Sequence, residues 1–579
     1  MPRKSEAAGD RHIRIDDYVE GRLSAEEMAE AEIHLASCGQ CRQRLEQRQL
    51  SVRKGGVLTV TRTLAARMAR GSLTVLEPLL KEFSRLLEQP KEKVERQAFE
   101  PLRVLTPPLI GGIKLTSRFI GRFGLVLILT IGTLFLPTPE GLSPEGHRAL
   151  AGFVFTASIL ALEPVSLPIA ALMVPAALVA LGTADTTEAF ATFSRPVVFL
   201  ILASLFLAEA LRKHGLTRRL ALKTIVSSGG EMWAILLGLM IVAAFFSMWV
   251  ENTATAAMLI PVAMTISRQV EDPEKAGKVL TLLVLGLAYS ASVGGMVTVM
   301  GSASNAVAFG FINQIRPWSF VNWMYYGVPA FLVVFPLTWW LLMRLTPTPV
   351  KRLELEGVRR HMEEMGPMGK TEKEIIVMMA VAVVFFVGGS FIEKALGLPT
   401  TLLSAAMVAV LAVCYLAIRE IINWEDVKGV SWGIFFIIGA GLSLGETLSR
   451  TGVTAWFATL LAPLVTGLPL FVSLLVLVLA SALMTNFLNN TTIAAVFVPV
   501  LIKLAQNDPT LEAMRFVIPV TLATTFGYSL PSASGRMALI AATGIVSRGK
   551  MMRCGLIMTA VSSVVLALLF YLIALLGWI

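Results

Sequence analysis

The chain has 579 residues, 55% of them hydrophobic and only 16% charged, with a mean hydropathy of +0.70. A soluble protein of this size carries about a quarter charged residues, so a single water-soluble globule is excluded. The net charge of +10 would suit nucleic acid, but Lys and Arg gather on the cytoplasmic loops of membrane proteins, and no nucleic-acid partner is expected.

Most of the first 122 residues are polar, and the opening stretch holds no apolar run of the kind a cleavable signal needs. We divide this part into a zinc-binding head, 1–48, and an amphipathic helical linker, 49–118, both cytoplasmic. Within the head, His34-Leu-Ala-Ser-Cys38-Gly-Gln-Cys41 follows a helix-like run from Ser24 to Ile33. A Cys-x-x-Cys one turn after a His can set three ligands around one Zn2+, and His12 is the candidate fourth. The pattern resembles the small zinc-binding module of bacterial anti-sigma factors over residues 10 to 48, which implies a sigma-factor-like protein partner in the cytoplasm. The competing reading is an incidental cysteine pair in a reducing compartment. In the linker, Leu76, Leu79, Leu80, Phe83, Leu86 and Leu87 form one stripe, for packing on the head, on a dimer mate or on a membrane surface.

Apolar runs then place eleven crossings at 121–137, 148–162, 166–182, 196–211, 280–312, 327–345, 375–395, 400–418, 431–448, 514–546 and 555–578. Two further stretches, 233–268 and 468–506, are too long for one crossing, are broken in the middle, and read as re-entrant hairpins. Basic clusters at Arg118/Arg122, Arg212–Lys223, Arg268–Lys278, Arg344–Arg360 and Arg548–Arg553 then fall on one side. That side is the cytoplasm of a multi-pass inner-membrane protein, with the N-terminus inside and the C-terminus outside. Trp318, Trp323, Tyr325 and Tyr326 read as an interfacial belt, and His214 and Thr217 as solvated groups near the cytosolic interface.

The chain repeats itself at an offset near 237. Glu209-Ala-Leu with Gly215 and Thr217 matches Glu446-Thr-Leu with Gly452 and Thr454; these glutamates suit a shared structural role at a helix end. Asn252-Thr253 with Pro261 matches Asn490-Thr491 with Pro499, and Gly301-Ser302-Ala303-Ser304 matches Pro531-Ser532-Ala533-Ser534. The connection after 211 carries Arg212, Lys213, Arg218, Arg219 and Lys223, whereas its partner after 448 carries only Arg450. The two copies therefore face opposite ways, the plan of many secondary transporters. The fold class is all-α: about eleven transmembrane helices and two re-entrant hairpins in an inverted repeat, with a small helical cytoplasmic head. The first repeat with its leading helix spans 119–350, a cytoplasmic linker 351–374, and the second repeat 375–579.

In such a plan ligands bind near the midplane, where broken helices meet. The hairpin tips carry Glu251-Asn252-Thr253 and Asn489-Asn490-Thr491, with amides and hydroxyls to satisfy freed backbone groups. Helix N-termini there favour an anionic group, and exposed carbonyls suit a small hard cation. These tips resemble the Ser-Asn-Thr triplets of the divalent anion–sodium symporter family. Its following broken helix is matched by Gly294-Gly295-Met-Val-Thr298-Val-Met-Gly301-Ser302-Ala303-Ser304-Asn305. Its early Thr-Glu-Pro-Leu-Pro region is matched by Leu162-Glu163-Pro164 with Leu167-Pro168.

The resemblance, running from about Gly141 to the end, implies elevator-type alternating access in a homodimer, within lipid, with Na+ bound beside each triplet. Ser247, Asn252 and Gly295 would line one cation site, and Thr485, Asn490 and Ala533 the other. Thr253, Thr491, Ser302 and Ser532 would face a dicarboxylate or sulfate. Two residues depart from the pattern: Glu251 replaces a small hydroxyl, and Gly535-Arg536 stand where a second Pro-Asn is expected. Charges inside a membrane are costly and usually functional. They read either as a structural ion pair or as a rewritten coupling, with Arg536 in place of a cation and fixing the anion, and Glu251 taking H+.

The leading expectation is secondary transport of a small divalent anion. A cation–proton antiporter or metalloid permease of the same superfamily, and a membrane-embedded ligand sensor with a zinc head, are the alternatives. There is no Walker motif for ATP drive, no Ser/His/Asp set and no His-Glu-x-x-His, so an enzyme is not expected.

Overall fold

The computed structural model describes residues 117–399, 401–507 and 512–578. The head, with His12, His34, Cys38 and Cys41, and the linker up to residue 116 lie outside these residues. Among the described residues the regular structure is helical, apart from one isolated bridge between Glu231 and Arg352.

A leading helix α1 (Ser117–Phe135) precedes the first series: α2 (Pro144–Leu162), α3 (Leu167–Ala180), α4 (Thr186–Ala191), α5 (Pro196–Lys213) and α6 (Leu216–Ser227). It continues with α7 (Met232–Ser247), α8 (Asn252–Ser267), α9 (Pro273–Gly294), α10 (Ala303–Ile315) and α11 (Phe320–Leu345). After a short linker helix, α12 (Glu356–Glu364), the second series follows: α13 (Lys370–Leu396), α14 (Ala405–Ile418), α15 (Trp424–Lys428), α16 (Gly433–Arg450) and α17 (Val453–Thr466). It closes with α18 (Leu470–Met484), α19 (Asn490–Asn507), α20 (Ala513–Ala523), α21 (Gly535–Ala542) and α22 (Arg548–Leu575).

The second series repeats the first, helix for helix, from α2/α13 to α11/α22. Contacts follow the same exchange: α5 packs on α14 and α16 on α3, while α8 packs on α21 and α19 on α10. Each half thus completes the other, as a two-fold relation requires.

Helix length places the breaks. The four hairpin arms α7, α8, α18 and α19 have 16, 16, 15 and 18 residues. At 1.5 Å per residue they reach about 22–27 Å, short of a hydrocarbon core of about 30 Å, so the chain turns at depth. By length and composition, α9, α11, α13 and α22 could each cross a membrane, and α4–α5 would make a fifth if that bent pair is one span. The remaining apolar helices are shorter pieces of the broken plan.

The structure corrects several sequence expectations. The stretch 280–312 is two helices, α9 and α10, separated at 295–302, and 514–546 splits into α20, two 3-10 turns and α21. The apolar helix α17, to which no crossing was assigned, is the counterpart of the basic helix α6. Trp318 and Trp323 are buried rather than interfacial, Trp323 at 1% exposure, while Tyr325 is 62% exposed. Thr217 is buried at 2% exposure, its hydroxyl 3.6 Å from the Met258 sulfur. The repeated glutamates hold helix ends: Glu209 pairs with Arg212 on its own helix, and Glu446 pairs with Arg195 across the two halves.

Glycine allows two helices to approach closely. A Cβ on Gly294 would lie 2.3 Å from the Ala244 carbonyl oxygen, so α7 and α9 touch backbone to backbone.

Candidate functional site

The first hairpin turns at 248–251 and the second at 485–489. At the first tip Glu251 caps α8: its Oε2 accepts from the backbone N–H of Thr253 (2.7 Å) and of Ala254 (3.3 Å). The Thr253 hydroxyl donates to Glu251 Oε1 at 3.1 Å. At the second tip Asn489 Oδ1 accepts from the Thr491 N–H at 2.9 Å. Both caps satisfy donors that an α-helix leaves free at its start.

One turn before each tip a buried hydroxyl meets the buried amide of the tip asparagine. The Ser247 hydroxyl lies 2.5 Å from the Asn252 amide, and the Thr485 hydroxyl pairs with that of Asn490 while also lying 2.9 Å from the Thr524 carbonyl. The Asn252 amide is best turned so that its NH2 donates to Ser247 Oγ, to the Ala291 carbonyl (2.8 Å) and to the Gly301 carbonyl (2.9 Å). Three hard oxygens, Ser247 Oγ and the carbonyls of Ala291 and Gly301, therefore converge on the Asn252 NH2, and hard oxygens are the donors that a small hard cation prefers. Gly295 completes this wall, because a Cβ there would lie 2.2 Å from the end of the Asn252 amide that faces these oxygens. In the second half, a Cβ on Gly527 would be 3.1 Å from Ala533 Cβ and 3.3 Å from the Thr485 carbonyl oxygen, which places Ala533 beside the second hydroxyl–amide pair.

The breaks after α9 and α20 free backbone carbonyls at depth, and each is answered by side chains. In the first, Asn305 Nδ2 donates to the carbonyls of Gly295 (2.8 Å) and Thr298 (2.9 Å), and Trp323 Nε1 donates to Met296 (3.1 Å). The Thr298 hydroxyl reaches back to the Met248 carbonyl of the first tip. In the second, Arg536 takes the role of Asn305: its Nη2 donates to the carbonyls of Thr525 (2.8 Å) and Gly527 (3.5 Å). Thr559 from α22 donates to the Phe526 carbonyl at 2.9 Å, and Asn486 Oδ1 accepts from the Ser529 N–H at 2.9 Å.

The two halves meet at the tips. A Cβ on Gly535, at the start of α21, would lie 2.8 Å from Thr253 Oγ1, so the first tip touches the second broken helix. Ser302, Ser304 and Thr524 form a hydroxyl chain with links of 2.8 Å, which ties the first break to the second. Glu251, Thr253, Asn489, Ser534 and Gly535 keep accessible surface, while Asn252, Ser302, Thr491 and Arg536 behind them are buried. Ser532 lies in the 3-10 turn Pro531–Ala533. Glu251 and Arg536 do not form an ion pair within 4 Å among the described residues: one caps a helix and the other binds carbonyls.

This arrangement, with two capped tips, two hydroxyl–amide pairs and two broken helices crossing between the halves, lies within one segment that a family profile covers. A profile described as the sodium:sulfate symporter transmembrane region matches residues 116–579. The chain belongs to the sodium:sulfate symporter family. Among its relatives are an uncharacterized transporter of Haemophilus influenzae, 30% identical over 77% of this chain and 96% of that protein, and the sodium-dependent dicarboxylate transporter SdcS of Staphylococcus saprophyticus, 28% identical over 77% and 90%. Solved structures align loosely: MtrF of Neisseria gonorrhoeae, an antimetabolite efflux pump, at TM-score 0.45 and 13% identity over 79% of this chain and 95% of that one. YdaH of Alcanivorax borkumensis aligns at TM-score 0.44 and 14% identity, over 68% and 88%. A zinc-finger profile matches residues 12–42. As a member of this symporter family the chain is a multi-pass membrane transporter.

Sequence reasoning missed the residues that hold the symporter breaks open. Trp323, Asn486 and Thr559 each bond a freed backbone group, yet none lies in a repeated block. For Asn486, polarity inside an apolar run was the available signal; Trp323 had none that separates a core indole from an interfacial one.

Proposed function

We propose that the chain is a secondary active transporter of small divalent anions, dicarboxylates or sulfate-like oxyanions, coupled to Na+ and moved by elevator-type alternating access. The observation that carries this is the pair of hydroxyl–amide clusters, Ser247 with Asn252 and Thr485 with Asn490, each set beside a helix break. Oxygen donors from a turn, an amide and freed carbonyls bind a hard monovalent cation, and the helix starts beside them favour an anion. Ser247, Asn252 and Gly295, next to Glu251, form the first cation site; Thr485, Asn490 and Ala533 form the second. Thr253, Thr491, Ser302 and Ser532 surround the anion, and Arg536, held behind them on the carbonyls of the second break, contributes its positive charge. The relatives named as sodium-dependent dicarboxylate transporters support the coupling ion and the substrate class. The working unit is a homodimer in the inner membrane, with the N-terminus in the cytoplasm and the C-terminus outside. The zinc-finger match at 12–42 supports a Zn2+-holding head, through His12, His34, Cys38 and Cys41, that binds a cytoplasmic protein.

The test is uptake of labelled succinate and sulfate into proteoliposomes under an imposed sodium gradient. Sodium-driven uptake, lost in Asn252→Ala and in Asn490→Ala, is the expected result. No uptake of either anion, with ligand binding intact, would make the membrane part a sensor instead.

A further inference from the structure

A row of three buried hydroxyls links the two breaks. Ser302 and Ser304 stand at the start of α10 in the first half, and Thr524 opens the 3-10 turn after α20 in the second. Ser302 Oγ lies 2.8 Å from Ser304 Oγ, and Ser304 Oγ lies 2.8 Å from Thr524 Oγ1. Thr524 Oγ1 in turn lies 2.7 Å from the Thr521 carbonyl oxygen. Ser302 is the N-cap of α10 but makes no capping bond, so the row is what its hydroxyl serves.

A hydroxyl has one hydrogen, and a row of this kind therefore has two orders. In one, Ser302 donates to Ser304, Ser304 to Thr524, and Thr524 to the Thr521 carbonyl. In the other each hydrogen is turned: Thr524 donates to Ser304, Ser304 to Ser302, and Ser302 donates outward. The first order is complete within the chain. The second needs an acceptor beyond Ser302, and an anion supplies it. At its far end the row meets the second hydroxyl–amide pair, because the Thr524 carbonyl lies 2.9 Å from the hydroxyl of Thr485, the partner of Asn490. Aligned hydroxyl dipoles reinforce one another where water is excluded. In the first order their positive ends point at the second break. In the second order they point at the anion, and Thr524 turns oxygen lone pairs toward the second break.

We infer that Ser304 and Thr524 are positioning residues that couple the anion to the second cation: an anion at Ser302 turns the hydroxyl row round, and the turned row favours Na+ at Thr485 and Asn490. The inference rests on the transport reading above and deepens it. No proton leaves its oxygen; three hydroxyl groups rotate. Linkage makes the coupling mutual, so Na+ at the second pair tightens the anion by the same factor.

The second half is wired differently. Ser534 is the counterpart of Ser304 in the repeat, yet its Oγ has no hydrogen-bond partner among the described residues. It extends no matching row back toward Ser247 and Asn252. The device is therefore one-sided and acts on the second cation, although the two hydroxyl–amide pairs are copies of one another.

The experiment melts the full chain in detergent across a sodium series at constant ionic strength, with and without saturating succinate, and repeats it with sulfate. The quantity read is the sodium concentration that gives half of the stabilisation. In the wild type the anion should lower it by about tenfold. Thr524→Val, which keeps the shape and loses the hydroxyl, should cut that shift to about threefold or less, and Ser304→Ala should do the same. Sodium alone should bind both variants no more weakly than the wild type, because the order that opposes it is gone; damaged packing would weaken it. Thr524→Ser should restore the full shift. Joining Thr524→Val to Ser304→Ala should lower the shift no further than either alone, since both cut one row. A full shift in Thr524→Val and in Ser304→Ala would overturn the inference and leave the transport reading standing. So would a shift lost as completely in Thr524→Ser as in Thr524→Val. A wild type that responds to neither anion, and takes up neither in proteoliposomes, would overturn both.

Discussion

Glu251 and Asn489 occupy the same place in the two halves, each side chain accepting the backbone N–H two residues on, at Thr253 and at Thr491. The job is the same, an N-cap inside the membrane, and only the charge differs. An amide cap is worth about 1 kcal/mol, so Asn489→Ala should lower thermal stability in detergent by roughly that amount. Asn489→Ser, which keeps a cap, should restore most of it. Equal melting of all three proteins would remove the cap from the account.

The hydroxyl–amide pairs predict sodium behaviour one half at a time. Ser247→Ala removes a hard oxygen from the first pair and Thr485→Ala removes one from the second. Each should raise the sodium concentration for half-maximal uptake by about tenfold, equivalent to 1.4 kcal/mol of cation binding. Ligands that bind the folded state raise its melting temperature, so the sodium-induced shift should shrink in both variants even where uptake is too slow to follow.

Gly295 and Gly294 stand side by side but should fail differently. A methyl group on Gly295 would lie 2.2 Å from the Asn252 amide and 2.8 Å from the Gly301 carbonyl oxygen, inside the first oxygen cluster. Gly295→Ala should therefore abolish the sodium-induced stabilisation in a protein that still inserts. A methyl group on Gly294 would meet the Ala244 backbone at 2.3 Å, and Gly294→Ala should cost about 1–3 kcal/mol of stability as α7 and α9 are pushed apart. Thermal melting with and without sodium separates the two.

Outside the core, Lys213 at the end of α5 binds Asp426 in α15 at 2.6 Å and the Ile421 carbonyl at 3.1 Å. Burial pushes the Asp426 carboxyl up, but the Lys213 hydrogen bond and the Asn423 N–H outweigh it and hold the carboxyl below its usual range. A depressed carboxyl contributes stability above its unfolded value of about 3.9, and loses it as pH falls through the lower folded value. Asp426→Asn should thus cost less than about 1 kcal/mol at pH 7 for this solvent-screened pair, and the deficit should close below about pH 4. A deficit independent of pH would assign the cost to packing instead.

For the head, metal analysis of the purified full chain should give about one zinc per polypeptide, because a Cys-x-x-Cys with two histidines makes a closed four-ligand set. Cys38→Ser combined with Cys41→Ser should remove it. Full zinc retention in that variant would dismiss the site.

Much of this molecule was legible in the order of residues because a membrane punishes unpaired backbone. Helical runs must be long, apolar and continuous, so the interruptions at 248–251 and 485–489 stand out against 1.5 Å per residue of helix rise. The recurrence of Asn252-Thr253 and Asn490-Thr491 then gave the repeat, and loop charge gave its sense. The sequence could also show that Glu251 and Arg536 break the pattern, since their charge alone marks them.

What those two residues do was decided only in three dimensions. As residue types they suit an ion pair, but Glu251 is within reach of the N–H groups two and three residues ahead, and Arg536 reaches the carbonyls of Thr525 and Gly527. Trp323, Asn486 and Thr559 act on breaks 27, 43 and 33 residues away in the chain, distances at which no local pattern operates. The membrane fixes where helices start and stop through the cost of each unpaired peptide group, a local quantity that the sequence carries. Which side chain answers a freed carbonyl depends on what packing brings within 3 Å of it, and that belongs to the tertiary structure alone.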